Sequence, residues 1–136
     1  MLTETIVAPA TPSPAQMGAA GLRAFFRIAA AWRLSTEEQM VLLGEPGRST
    51  FFKWKKEPET ARVQKDTLER LSYILGIYKA LEILLPVPEV AEGWVRRPNS
   101  APLFGGKSAL ERMLAGQVGD LMVVRKYLDA QRGGWA

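Results

Sequence analysis

The sequence predicts an all-α protein. From Gly21 onward, apolar residues recur at three- and four-residue spacing almost without a break. Helix-start signals, Ser or Asp with Glu three residues later, alternate with Gly and Pro stops. No stretch alternates apolar and polar residues as a half-buried strand would, and no segment repeats another.

The elements follow in order. Residues 1–17, MLTETIVAPATPSPAQM, are rich in Ala, Pro, Thr and Ser and read as a disordered arm. Gly21–Trp32 is a helix with Leu22, Phe25, Phe26, Ala29 and Trp32 on one face. Ser35-Thr36-Glu37-Glu38 is a capping box opening a helix to Leu43 that buries Met40 and Leu43 and leaves Gln39 outside. Gly44 stops it, and Glu45-Pro46-Gly47 is a turn. A third helix starts near Ser49, runs to Lys56 and ends before Pro58, with Phe52 as its core anchor and Phe51 or Trp54 assisting. Asp66-Thr67-Leu68-Glu69 starts a long helix to Leu85. Its apolar arc, from Leu68 and Leu71 to Leu84 and Leu85, is too wide for one contact, which places it at the centre joining both halves. Pro86 and Pro88 break the chain. Short helices follow at Glu89–Val95 and Ser108–Leu114, and a last one at Gln117–Gln131.

Composition narrows the function. The chain has 136 residues, 47% hydrophobic and 24% charged, which suits one packed domain or two very small ones. It contains no cysteine and no histidine. That removes disulfides, thiolate metal sites and the commonest general base and metal ligand, so neither a metal nor a cofactor is expected. The formal net charge is +4, compatible with nucleic acid. No stretch approaches the roughly 20 apolar residues that span a bilayer, and the first residues lack the basic start and apolar core of a signal peptide. A cytoplasmic protein is expected.

Gly105-Gly106-Lys107-Ser108 raises the question of a phosphate-binding loop. The full motif is G-x-x-x-x-G-K-[ST], preceded by a strand. Position 101 is alanine, and Arg96–Ser100 is polar. Ser108 and Glu111 make a capping box, with Gly105-Gly106 as the turn into it. No enzyme is expected from this segment.

Thr36–Lys56 has the plan of a helix-turn-helix, whose second helix lies in the major groove of DNA. From Arg48 to Lys56 there are four basic residues and no acid. Arg48, Ser49, Thr50 and Lys53 lie toward the leading end, and Lys55 and Lys56 suit phosphate. The alternative is an ordinary basic surface helix whose lysines are solvated. Glu37, Glu38, Glu45, Glu57 and Glu59 dilute the patch, which argues for a dimer, because one module with few phosphate contacts binds weakly at physiological salt. At the other end, Arg132-Gly133-Gly134-Trp135 reads either as an insertion peptide with hot-spot side chains or as a glycine helix cap with a folded-back Trp.

Several stretches in combination resemble the Xre/MbcA/ParS-type antitoxins that pair with RES-domain toxins: RSTFFKWKK, ERLSYILGIYKALEILLP, WVRRPNSAPLFGGKSALERML and VRKYLDAQRGGW. The resemblance covers about residues 20–135. It implies an N-terminal Xre-like helix-turn-helix region (18–64) and a small helical toxin-binding domain (65–136), joined by the central helix. It further implies a non-catalytic bacterial protein that covers the active-site cleft of an NAD-consuming toxin. The blocking segment would be Arg132, Gly133, Gly134 and Trp135. Such antitoxins associate with one another and repress their own promoter DNA together with the toxin. Family members vary at the N-terminal region. A solitary helix-turn-helix regulator without a toxin is the competing expectation.

Overall fold

The computed structural model describes residues 11–134. Among the described residues there are seven α-helices, two 3₁₀ turns and no strand, apart from one isolated bridge between Pro98 and Ser108. The all-α expectation holds.

Helix α1 (Pro14–Ala31) starts earlier than its apolar spacing predicts. The Ser13 hydroxyl accepts from the Gln16 N–H at 3.2 Å, and the Gln16 side chain accepts from the Ser13 N–H at 2.8 Å. Pro14 occupies the first turn, where its missing N–H and fixed φ are no handicap. Residues 14–17, assigned from composition to the arm, are thus helical, because S-P-A-Q is a capping box. The arm's first ten residues lie outside the described residues. Helix α1 ends in a Schellman motif: Arg33 has φ of +56°, and the Leu34 N–H reaches the Ala29 carbonyl at 2.9 Å.

Helix α2 (Thr36–Leu42) has the expected Ser35/Glu38 capping box. Its burial corrects the sequence reading. Gln39 is buried, its amide donating to the Leu34 carbonyl at 3.0 Å, while Met40 is only half-buried. Gly44, with φ of +90°, ends the helix. Helix α3 (Arg48–Lys56) buries Phe51 and Trp54 and exposes Phe52, reversing the expected anchor. Phe51 and Trp54 lie three residues apart and fall on one side, facing α1 and the 3₁₀ turn Pro58–Thr60.

Helix α4 (Lys65–Leu84) is the central element. It packs against α1 on one side and α7 (Val118–Gly134) on the other. Leu71, Ile74, Ile77, Ala80 and Leu81 are buried along it. It starts at Lys65, and Asp66 is an ion-pair partner of Arg70 rather than a cap. A raised pKa at Tyr78 comes from burial first, then from the Glu82 and Glu92 carboxylates. Helices α5 (Pro88–Gly93) and α6 (Ala109–Met113) frame the 3₁₀ turn Trp94–Arg96 and the loop after it.

Two arginines tie the halves together. Arg70 is buried; it donates to Asp66 at 2.9 Å and to the Gly116 carbonyl at 3.0 Å. A Cβ on Gly44 would stand 3.0 Å from both the Arg70 and Asp66 polar atoms, so the turn after α2 rests on this pair. Arg96 donates to the Trp32 and Arg33 carbonyls at 2.9 and 2.7 Å and approaches Glu38 at 3.4 Å. It thereby satisfies carbonyls at the end of α1 that no helical N–H reaches.

Candidate functional sites

The first site is the outer face of α3. Phe51 is wholly buried, with Phe26 edge-on at 5.7 Å, and Trp54 is 8% exposed. These two rings fix which side of the helix faces inward. Arg48, Ser49, Thr50, Lys53, Lys55 and Lys56, the six residues expected to meet DNA, are all exposed. Ser49, Phe52, Lys53 and Lys56 share the outermost stripe at i, i+3, i+4 and i+7 spacing. Thr50 sits on the flank near Trp54, and Lys55 on the opposite flank. Arg48 makes an exposed ion pair with Glu37 of α2 at 3.5 Å, and its guanidinium lies 5.6 Å from the Phe52 ring centroid. The pair contributes little stability in water, but it sets Arg48 between α2 and α3.

The second site is the end of α7. The loop before α6 holds that helix in place. Phe104 is buried against Tyr127 edge-on at 5.2 Å and Trp94 at 6.0 Å, and Trp94 stacks on Tyr127 at 6.4 Å. The loop's glycines take φ of +57° and +89° at Gly105 and Gly106. Its amides are used internally: Gly105 N–H donates to Ala101, Gly106 to Asn99 and Lys107 to Phe104, at 2.9 to 3.0 Å. Those donors would have to be free to cradle a phosphate. The Ser108 hydroxyl accepts from the Glu111 N–H at 3.1 Å, the cap its spacing predicts. Gly-Gly-Lys-Ser is therefore a turn into α6.

Helix α7 buries Leu121, Val124 and Leu128 against α4. Arg125 lies across the bare backbone of Gly76 and ion-pairs with Asp129 at 3.1 Å. The helix continues through Gly134. This corrects the expected helix end at Gln131: Arg132, Gly133 and Gly134 form the final turn of α7. Arg132 and Gly133 are exposed, with the Arg132 guanidinium 4.0 Å from Asp129. Trp135 lies outside the described residues.

The described residues hold no cluster of three or more carboxylates placed for a metal ion. No described helix is long and apolar enough to cross a membrane. Spacing marks the Asp66–Arg70 pair at i, i+4, but not the ties of Arg70 to Gly116 or of Arg96 to Trp32, whose partners lie 46 and 64 positions away.

Residues 12–76 match the antitoxin Xre-like helix-turn-helix domain. Residues 80–134 match the antitoxin Xre/MbcA/ParS C-terminal toxin-binding domain. The junction falls inside α4. Over 133 residues the chain is 54% identical to a protein of Sinorhizobium fredii (strain NBRC 101917 / NGR234) described as "Uncharacterized protein y4oB", covering 98% of this chain and 100% of that one. With both domains present in family order on one helical body, the chain belongs to the Xre/MbcA/ParS antitoxins.

Proposed function

We propose that this chain is a cytoplasmic type II antitoxin with two working ends. One end, within 65–136, binds a RES-domain, NAD-consuming toxin and lays the segment Arg132–Trp135 over its active-site cleft. The other, within 18–64, binds the promoter of its own operon through α3 and represses it as a homodimer. The observation that carries this reading is the exposure of both candidate surfaces on one folded body: the basic face of α3, and Arg132 and Gly133 in the last turn of α7. Arginine suits a cleft shaped for the charged and polar groups of a dinucleotide, because its planar fork donates in pairs. Helix α3 itself carries four cations and no carboxylate; Arg48 is paired with Glu37 of α2, which leaves Lys53, Lys55 and Lys56 as the cations suited to phosphate.

The tagged full chain isolated from its native host is expected to bring down a RES-type protein in near-stoichiometric amount. Recovery of the chain alone, or with DNA only, would favour a solitary regulator. Promoter titrations test the other end. Replacing Lys55 or Lys56 with Ala is expected to weaken binding to all sequences alike and to reduce the salt slope by about 1 per residue. Thr50→Ala and Lys53→Ala are expected to narrow the gap between promoter and unrelated DNA. Equal effects of all four on every fragment would sink the division into base-reading and phosphate contacts.

A further inference from the structure

Phe52 is 44% exposed on a helix whose two other aromatic rings are buried. The α3 contact with α1 is made by Phe51 against Phe26, and the buried Trp54 shares that inward side. Phe52 is not loosely held: Phe51 meets it edge-on at 5.2 Å, and the Arg48 guanidinium stands over its ring at 5.6 Å. A phenyl ring aimed outward and gripped from two sides is preorganised for an apolar contact. Its surroundings restrict what that contact is. Ser49, Lys53 and Lys56 share its stripe, α3 carries no acid, and the neighbouring Glu37 carboxylate is taken up by Arg48, so the lysines of the stripe make the patch complementary to a polyanion. On the major-groove edge of DNA, the one apolar base group is the C5 methyl of thymine.

We propose that Phe52 is a specificity-determining residue that reads thymine, its ring packing on the C5 methyl of one thymine in each half-site. Lys53 and Ser49 bracket that base on the same stripe, and Arg48 keeps the ring in place. The inference rests on the DNA-binding reading above and adds the base that α3 prefers.

The experiment uses the full chain and a promoter fragment, with each thymine replaced in turn by deoxyuracil. That exchange removes the methyl and leaves the hydrogen-bonding edge intact. Binding is expected to fall about four-fold at one thymine per half-site, the value of one buried methyl group. Phe52→Ala is expected to weaken binding to the thymine fragment and to abolish the thymine–uracil difference, while Phe52→Leu keeps part of it. Circular dichroism is expected to show both variants folded, since the ring lies outside the core. Three outcomes overturn the inference: no uracil position matters, Phe52→Ala retains the full uracil effect, or Phe52→Ala changes only the oligomeric state in light scattering. Failure of the unmodified chain to prefer its promoter over unrelated DNA at low salt would instead overturn the DNA-binding reading itself.

Discussion

Phe51→Ala is expected to lower the unfolding free energy by about 3–5 kcal/mol. The ring is fully buried where α3 meets α1, edge-on to Phe26 at 5.7 Å. Truncation removes its apolar contacts and leaves a cavity that rigid helices on both sides cannot close. Native domains have only about 5–15 kcal/mol in total, so this one change would remove a large share. Urea unfolding followed by circular dichroism reads it directly. The adjacent Phe52→Ala is the built-in control, expected to fall within about 0.5 kcal/mol of the parent because its ring is largely outside the core. Equal losses at the two positions would mean that α3 is rotated from the orientation described above.

Removal of residues 132–136 is expected to have the opposite profile. The core of α7 ends at Leu128, and Arg132 and Gly133 face solvent, so stability should stay within about 0.5 kcal/mol. Affinity for the toxin is expected to fall about 30-fold or more, the equivalent of one hot-spot side chain at ~2 kcal/mol. Co-expression with the toxin and a growth readout, paired with a melting curve, separates the two effects. If the shortened chain protects cells as well as the full one, the covering segment lies elsewhere on the domain. The helical state of Arg132–Gly134 refines how the segment would enter a cleft. It would present a helix end with an exposed guanidinium on its last turn, rather than an extended peptide.

Much of this architecture is legible in the sequence because its signals are local. The Ser35/Glu38 box, the Gly44 stop, the Ser108 cap and the wide apolar arc of α4 each follow from spacing within a few turns. The early start of α1 was obscured because Ser13-Pro14 sits in a composition typical of disorder, although the cap chemistry is there to be read. The exchange of Phe51 for Phe52 as anchor has another cause. Adjacent aromatics are equally apolar, and only the partner helix decides which one turns inward. Gln39 turns inward for a similar reason: its amide N–H donates to the Leu34 carbonyl, a contact that hydropathy does not register, while its Oε1 has no hydrogen-bond partner. The six polar positions expected on the outer face of α3 are all exposed. At the C-terminus the helix expected to end at Gln131 runs on to Gly134, because two weak helix formers at the end of a well-anchored helix only lower its propensity.

Helix α4 shares its core with α7 and with α1, the helix on which α3 packs, with Arg70 and Arg96 as cross-ties. The two ends therefore draw on a common reserve of folding free energy. A ligand present at 100 times its dissociation constant deepens the native well by about 2.7 kcal/mol, and a shared core passes that gain to the opposite surface with no shape change at all. Toxin held at α7 would make the α3 face less accessible to unfolding and to proteolysis, and promoter DNA would do the same for the toxin-binding end. Occupancy at either pole would thus govern the lifetime of the whole molecule.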